Sequence, residues 1–286
     1  MSTVLVLPHD MQPAASVKGV ALYCYPATAK AAQNIIAIGV HGGSHAAWSL
    51  GLYASLLAAA GITVVTFDWR GHGKSETLPE EQAIGRSHAD IAKDELAIAV
   101  EYAKHNLGAD QIILFGHSMG GLVVQKFLES HTAMAAVLLA SPAPKQVGNV
   151  YAPLSLPPHT LYMPGALFRR LAFFQKFSRQ LRETYASYLE SESPAIIREV
   201  SQGKRQGVPV AAASVRQNVR HLLVVSDHRD ILTPRYIMKR LARYYNADFL
   251  PVDTAGHCNI LYGPAAPHVA AMVLDWIKKR PELSAD

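Results

Sequence analysis

Residues 116–121 read Gly-His-Ser-Met-Gly-Gly, directly after the apolar run Gln111–Phe115 (QIILF) and directly before the helix-like LVVQKFLES. A sharp strand-to-helix turn would hold Ser118 in a strained backbone conformation. Gly116 and Gly120 stand where a Cβ would clash, and the hydroxyl is carried above the sheet with a helix N-terminus beneath it. A serine hydroxyl is a poor nucleophile at neutral pH. It needs a base within hydrogen-bond reach and a third group that holds the base in the right tautomer.

Downstream residues can supply both. His257, in Thr254-Ala255-Gly256-His257-Cys258-Asn259, follows the last strand-like run and precedes the final helix, so its loop can carry an imidazole over the sheet edge. Of the 13 histidines, His9, His88, His105, His131 and His268 read as edge or helix-surface side chains. For the acid, Ser226-Asp227-His228-Arg229-Asp230-Ile231-Leu232-Thr233-Pro234 offers two candidates. Asp230 lies farther into the loop and is preferred, while Asp227, at the strand end, reads as fixing the turn. Ala140-Ser141-Pro142 has no carboxylate, and Asp253 is too close in sequence to His257 to reach it without an unusual loop. Acyl transfer also needs N–H donors for an oxyanion. The Met119 amide belongs to the elbow, and Gly43, in His41-Gly42-Gly43-Ser44-His45, is the expected second donor.

These residues require a scaffold of parallel strands. Ile35–Val40, Ile62–Phe67, Gln111–Phe115, Ala135–Ala140, His221–Val225 and Asp248–Val252 have the near-continuous apolarity of strands buried on both faces. Gly19–Tyr25, with Val4–Leu7 before it, adds an antiparallel edge. The expected class is α/β, a mostly parallel eight-stranded sheet flanked by helices. Leu96, Val100, Ala103 and Leu107 form one helical stripe, and Val269, Met272, Val273, Trp276 and Ile277 another. The alternation breaks once, after Pro142, where 78 residues (143–220) precede the next strand. This stretch opens with prolines and continues with Phe174, Phe177, Leu181, Tyr185 and Tyr188 on one side of an amphipathic run. It is expected to be a helical lid, leaving 1–142 and 221–286 as the core domain.

At 286 residues, with half of them hydrophobic and 17% charged, the chain fits one catalytic domain with an insertion. The apolar run Val4–Leu7 is too short for a signal segment or a membrane span, which reads as cytoplasmic. Cys24 and Cys258 have no disulfide or metal-ligand spacing. No metal or organic cofactor is expected. The net charge of +5 comes without basic runs interleaved with aromatics, so nucleic acid is not an expected partner. Residues 143–220 hold 11 Lys and Arg against 4 Glu, a net of +7, which leaves −2 for the rest. Arg169, Arg170, Lys176, Arg179 and Arg182 form a basic lid that either is simply solvated or steers an acyl carrier or anionic headgroup.

With the elbow, the HGG loop, the Asp loop and the AGH loop, the chain resembles the α/β-hydrolase superfamily. Asp68-Trp69-Arg70-Gly71-His72-Gly73-Lys74-Ser75 is similar to that family's D-x-R-G-x-G-x-S loop, and Gly-His-Ser-Met-Gly-Gly to the elbow of monoacylglycerol lipases and lysophospholipases. The resemblance implies that fold with a lid after the sixth strand, Ser118, Asp230 and His257 as a triad, and Gly43 and Met119 as oxyanion donors. The substrate is expected to be a small or lipid-like ester with a lipophilic acyl or ring part, held by Tyr151, Leu161, Tyr162, Phe168, Phe173 and Phe174. A thioesterase, lactonase or acyltransferase working on a carrier-linked intermediate is the alternative, and a non-catalytic binding protein on the same fold is a second. The protein is expected to act as a monomer or homodimer.

Overall fold

The near-continuous apolar runs do form a parallel sheet, and their carboxyl ends define one edge of it. The computed structural model describes residues 11–28, 34–150, 159–254 and 256–280. Its strands are β1 Ala15–Val17, β2 Val20–Tyr25, β3 Ile35–Val40, β4 Thr63–Phe67, β5 Gln111–His117, β6 Ala133–Leu139, β7 Val219–Asp227 and β8 Asp248–Val252. They make one eight-stranded sheet in the order β1-β2-β4-β3-β5-β6-β7-β8. β1 and β2 pair antiparallel at one edge, and β3 to β8 run parallel. The expected strand over Val4–Leu7 lies outside the described residues.

Both faces of the sheet are covered, which is why its central strands need not alternate. On one face, Ala37, Ile113, Phe115, Val137 and Val225 pack with Tyr53, Leu57, Val269, Val273 and Ile277 from the helices Gly51–Ala59 and Ala266–Lys278. On the other, Ile36, Ile38, Leu114 and Val224 meet Leu96, Val100, Leu122, Val123 and Leu241. The expected stripe at Leu96, Val100 and Ala103 is buried, carried by one helical stretch with a π turn at Ala92–Leu96 that continues as Ala97–Asn106.

Between β6 and β7 lie a helical turn at Ala166–Phe168 that passes into a π turn at Arg169–Phe173, then helices Arg179–Ala186, Pro194–Ser201 and Ala212–Asn218. The amphipathic run expected through Phe174, Phe177, Leu181, Tyr185 and Tyr188 is not one helix. Lys176 takes φ 58, and Ser178 starts a new helix by accepting the Leu181 N–H. Phe174, Phe177 and Tyr185 are nonetheless buried in the same cluster as Trp48 and Tyr262. Among the described residues, no helix is long and apolar enough to cross a membrane.

Candidate active site

Four loops at the carboxyl ends of β3, β5, β7 and β8 converge on one cavity of about 100 Å3. At the elbow, Ser118 takes φ 51 and ψ −126, a region few non-glycine residues occupy. It is held there by its N–H to the Leu139 carbonyl (2.9 Å) and by the Gly121 N–H to its own carbonyl (2.8 Å). The flanking glycines are required by contact: a Cβ on Gly116 would sit 2.4 Å from the Gly120 carbonyl oxygen, and one on Gly120 would sit 2.3 Å from the carbonyl oxygens of Val40 and His41.

His257 is buried, and its Nδ1–H donates to Asp230 Oδ2 at 2.7 Å. Its Nε2 is buried with no hydrogen-bond partner among the described residues. His257 and Ser118 line the same cavity. The Asp230 carboxylate also accepts the N–H groups of Leu232 (2.8 Å) and Thr233 (3.1 Å) and the Thr233 hydroxyl (2.6 Å). Burial alone would raise its pKa, but His257 and the Thr233 bonds outweigh burial and hold it below the usual carboxylate range. Asp227, the other candidate, accepts from Arg229 N–H (2.8 Å) and from both the N–H and the hydroxyl of Thr254 (2.6 Å each), tying the β7 loop to the β8 loop. Asp253 is exposed and pairs with His228 at 2.9 Å.

His117 donates its Nε2–H to the His257 carbonyl at 3.0 Å, and the two rings lie 4.9 Å apart. Burial holds the His117 imidazole well below its ordinary pKa, hence neutral. The loop after β3 packs onto the elbow so closely that a Cβ on Gly42 would be 3.0 Å from Ser118 Cβ, and one on Gly43 2.4 Å from Met119 Sδ. Gly43 and Met119 both line the cavity. Met119 is the first residue of its helix, where an N–H has no intrahelical partner. His45 braces the loop, its Nδ1–H donating to the Gly43 carbonyl (2.7 Å) while Nε2 accepts from the Tyr262 hydroxyl (2.9 Å). Burial lowers its pKa to about 4.

The wall opposite the loops is apolar, formed by Pro142, Val150, Tyr162, Phe168, Phe173, Ile197 and others. Of the expected substrate contacts, Tyr162, Phe168 and Phe173 line the cavity, with Phe173 stacked 6.3 Å from the His257 ring. Tyr151 lies outside the described residues. Leu161 and Phe174 are not among the side chains around the cavity. Leu161 precedes Tyr162 in an extended bridge to Glu192 and lines a separate groove with Trp69 and Arg86. Phe174 follows the π turn and packs edge-on against Phe177. His88, read from the sequence as a solvated side chain, is buried against Glu199.

Sequence reasoning did not single out Thr233, which braces Asp230, or the buried pair His72–Glu192 beside the loop after β3. Thr233 had a local signal in its spacing from Asp230, whereas Glu192 had none. The Asp68 loop matched by motif is a brace: the Asp68 carboxylate accepts from Ala47 N–H (2.7 Å), Lys74 N–H (2.9 Å) and the Tyr23 hydroxyl (2.6 Å). Among the described residues, no group of three or more His, Cys, Asp or Glu side chains could hold a metal ion. Burial raises the thiol pKa of Cys258.

One curated relative, the lysophosphatidylserine lipase ABHD12 of Danio rerio, is 32% identical over 108 residues, 36% of this chain and 25% of the relative. The chain therefore matches only a quarter of that protein's length. Among solved structures, a methylesterase protein, MES16, from Arabidopsis superposes with TM-score 0.66 at 18% identity, covering 86% of this chain and all of that one. A Paleococcus ferrophilus monoacylglycerol lipase gives TM-score 0.62 at 18% identity, covering 90% and 97%. Likeness at that identity speaks for the fold. Residues 37–269 match the family described as alpha/beta hydrolase, which takes in the elbow, the Asp230 loop and the His257 loop, and the chain belongs to that family.

Proposed function

We propose that this protein hydrolyses carboxylic esters with a lipophilic acyl or ring part through a Ser118-His257-Asp230 triad. The observation that carries the reading is His257 itself. Asp230 takes its Nδ1–H at 2.7 Å, so Nε2 is the unprotonated nitrogen, and that nitrogen is buried and unpartnered in the cavity that Ser118 lines. Ser118 Oγ attacks the ester carbonyl as His257 Nε2 takes its proton, and the resulting imidazolium is stabilised by Asp230. The N–H groups of Gly43 and Met119 receive the oxyanion. The tetrahedral intermediate collapses, the alcohol leaves with the proton from His257, and water repeats the cycle on the acyl-enzyme. The apolar wall of Tyr162, Phe168, Phe173 and Ile197 favours a neutral acyl or ring group. Residues 143–220 act in this reading as the lid over the site. The lipase and esterase names of the relatives point to the same bond type.

A second reading keeps the triad and changes the substrate's carrier. Three of the lid's four glutamates turn inward, Glu190 to the Gly73 N–H, Glu192 to the Ser44 N–H and Glu199 to His88. The outer face keeps its Arg169 and Arg170, beside Leu167 and Leu171 at 69% and 51% exposure. Such a face favours an acyl group attached to an anionic headgroup or to a phosphopantetheine carrier, as for a thioesterase or acyltransferase.

The test is turnover of p-nitrophenyl esters of rising chain length beside the matching acyl-CoA thioesters, with Ser118→Ala as the blank. The ester reading expects Ser118-dependent turnover of the esters and a loss of at least about 10^4-fold in the variant. Undiminished turnover by Ser118→Ala would sink the mechanism, and a Ser118-dependent preference for the thioesters would favour the carrier-linked reading.

A further inference from the structure

The buried pair His72–Glu192 is not used by the chemistry above, yet it adjoins the loop that carries Gly43. Glu192 belongs to the segment between β6 and β7, is 2% exposed, and lies 3.3 Å from His72 Nε2. Its Oε2 accepts the Ser44 N–H at 3.0 Å, and a Cβ on Gly43 would lie 3.4 Å from the same oxygen. We propose that Glu192, charge-balanced by His72, is a positioning residue that fixes the Gly43–Ser44 peptide and makes the oxyanion site depend on docking of the lid segment. The proposal rests on the ester-hydrolase reading and extends it.

Backbone bonding supports it. Ser44 is a non-glycine residue at φ 59, a conformation that persists only where neighbours enforce it. Its N–H goes to Glu192, and its carbonyl accepts the Glu190 N–H at 2.9 Å. The Gly43 carbonyl is taken by His45 Nδ1–H, and the Gly42 carbonyl by the His45 N–H (3.3 Å) and by His41 Nδ1–H (2.9 Å). Both peptide planes flanking Gly43 are therefore fixed, and with them the direction of its N–H. The two bonds to Ser44 come from the lid segment. The same stretch forms the other side of the bridge to Tyr162, through two N–H to carbonyl bonds of 2.8 Å, and Tyr162 lines the cavity. One strap thus sets a substrate wall and the oxyanion loop together.

Charge bears on the same loop. A lone buried carboxylate this near a developing oxyanion would oppose it. His72 removes the conflict. Burial alone would lower its pKa, but Glu192 at 3.3 Å, helped by Glu190 and Asp68, turns the net shift upward, while the buried His41, whose ring lies 5.7 Å away, is held well below its ordinary pKa by burial and by His72. Glu192, which burial would raise, is brought down to about 2 by His72 and by the N–H groups of Ser44 and Ser193. The loop that carries His72 is itself tied to the strap, because the Gly73 N–H donates to the Glu190 carboxylate at 2.9 Å.

The experiment compares the wild type with Glu192→Ala, Glu192→Gln, His72→Gln and the double glutamine variant. For each, kcat and KM are measured on p-nitrophenyl hexanoate, and inhibition by a hexyl trifluoromethyl ketone, whose adduct places an oxyanion in the hole. Folding is checked by circular dichroism. Glu192→Ala is expected to lower kcat by about 100-fold, the scale of one lost oxyanion donor, and to weaken the ketone by a similar factor with KM within about twofold. Glu192→Gln can still accept the Ser44 N–H and should recover most of that loss. His72→Gln leaves a bare buried carboxylate and should lower kcat, and adding Glu192→Gln to it should restore activity. Wild-type kcat and ketone affinity in a folded Glu192→Ala, or no restoration in the double variant, would overturn the proposal. Absence of both ester turnover and fluorophosphonate labelling in the wild type would instead overturn the ester-hydrolase reading, and this proposal with it.

Discussion

The elbow and the segment between β6 and β7 both line the same cavity and are shaped by different forces. At the elbow, backbone meets backbone: Gly120 passes so close to the Val40 and His41 carbonyls that no Cβ fits, and Ser118 is held at φ 51 by bonds to the β6 end and to its own helix. In the segment between β6 and β7, side chains set the positions. Phe173, Phe174 and Phe177 pack on one another and on Tyr262, while Glu190 and Glu192 reach across to Gly73 and Ser44. Backbone constraint restricts residue types at fixed spacing, whereas side-chain packing admits many solutions. Chemistry is therefore expected to fail in single steps at the loops and to shift gradually between β6 and β7.

The sharpest break compares two aspartates in one loop. Asp230→Asn should keep the fold but offer His257 the wrong hydrogen-bond partner, lowering kcat on the order of 10^4-fold. Asp227 lies three residues earlier and bonds Thr254 and Arg229 rather than an imidazole. Asp227→Asn should leave kcat within about threefold while costing about 1–3 kcal/mol of stability through unpaired buried donors. Kinetics and thermal denaturation of the two variants check this, and a kcat loss in Asp227→Asn matching that of Asp230→Asn would erase the distinction.

In the segment between β6 and β7, Phe173→Ala tests the gradual response. Phe173 is buried and stacks over the His257 ring, so its removal should cost about 3 kcal/mol. Turnover should persist, with the preference along a p-nitrophenyl ester series moved towards longer acyl chains because the cavity wall has been cut back. A variant with unchanged chain-length preference would mean that the acyl group does not meet this wall.

The same contrast explains what the sequence made legible. Glycines at 116 and 120 around Ser118, and six apolar runs, are local signals of backbone geometry, and they located the elbow and the sheet. Strand ends moved where polar residues continue a ladder: β7 reaches from Val219 to Asp227, past both ends of the apolar His221–Val225. The segment between β6 and β7 carried no comparable signal. Alternation in the Tyr162 bridge sends Leu161 away from the cavity, and the break around Lys176 reorients Phe174. Glu192 finds Ser44 across 148 positions, and His88 finds Glu199 across 111, separations at which no local pattern announces a contact.

A pH series sharpens the comparison from the side of Glu192. Glu192 has a folded pKa below its ordinary 4.5, so its contribution to stability is present above 4.5 and is lost as pH falls towards about 2. His72 has a folded pKa above its ordinary 6.5, so its contribution is present below 6.5 and is lost as pH rises through the folded value. The stability difference between the wild type and the double variant His72→Gln, Glu192→Gln should therefore be widest between 4.5 and 6.5 and narrow on both sides. A change on the order of 3 kcal/mol is expected across the acid limb, between pH 4.5 and about 2. Urea denaturation at several pH values measures it, and a pH-independent difference would show that the two groups do not pair as ions.

The smallest expected effect isolates the cost of the elbow itself. Ser118→Ala and Ser118→Gly both remove the hydroxyl, so both should be inactive, but they differ in what they do to a residue held at φ 51. Alanine keeps the Cβ and the strain, whereas glycine occupies that region freely. Relief of about 1–3 kcal/mol of strain, less the roughly 0.5–1 kcal/mol that glycine loses in unfolded-chain entropy, leaves a gain of about 1 kcal/mol. Ser118→Gly should then melt about 2–4 °C above Ser118→Ala in calorimetry. Equal melting temperatures would mean that the elbow carries no releasable strain, and that the bonds from Leu139 and Gly121 fix the turn whatever residue stands at its centre.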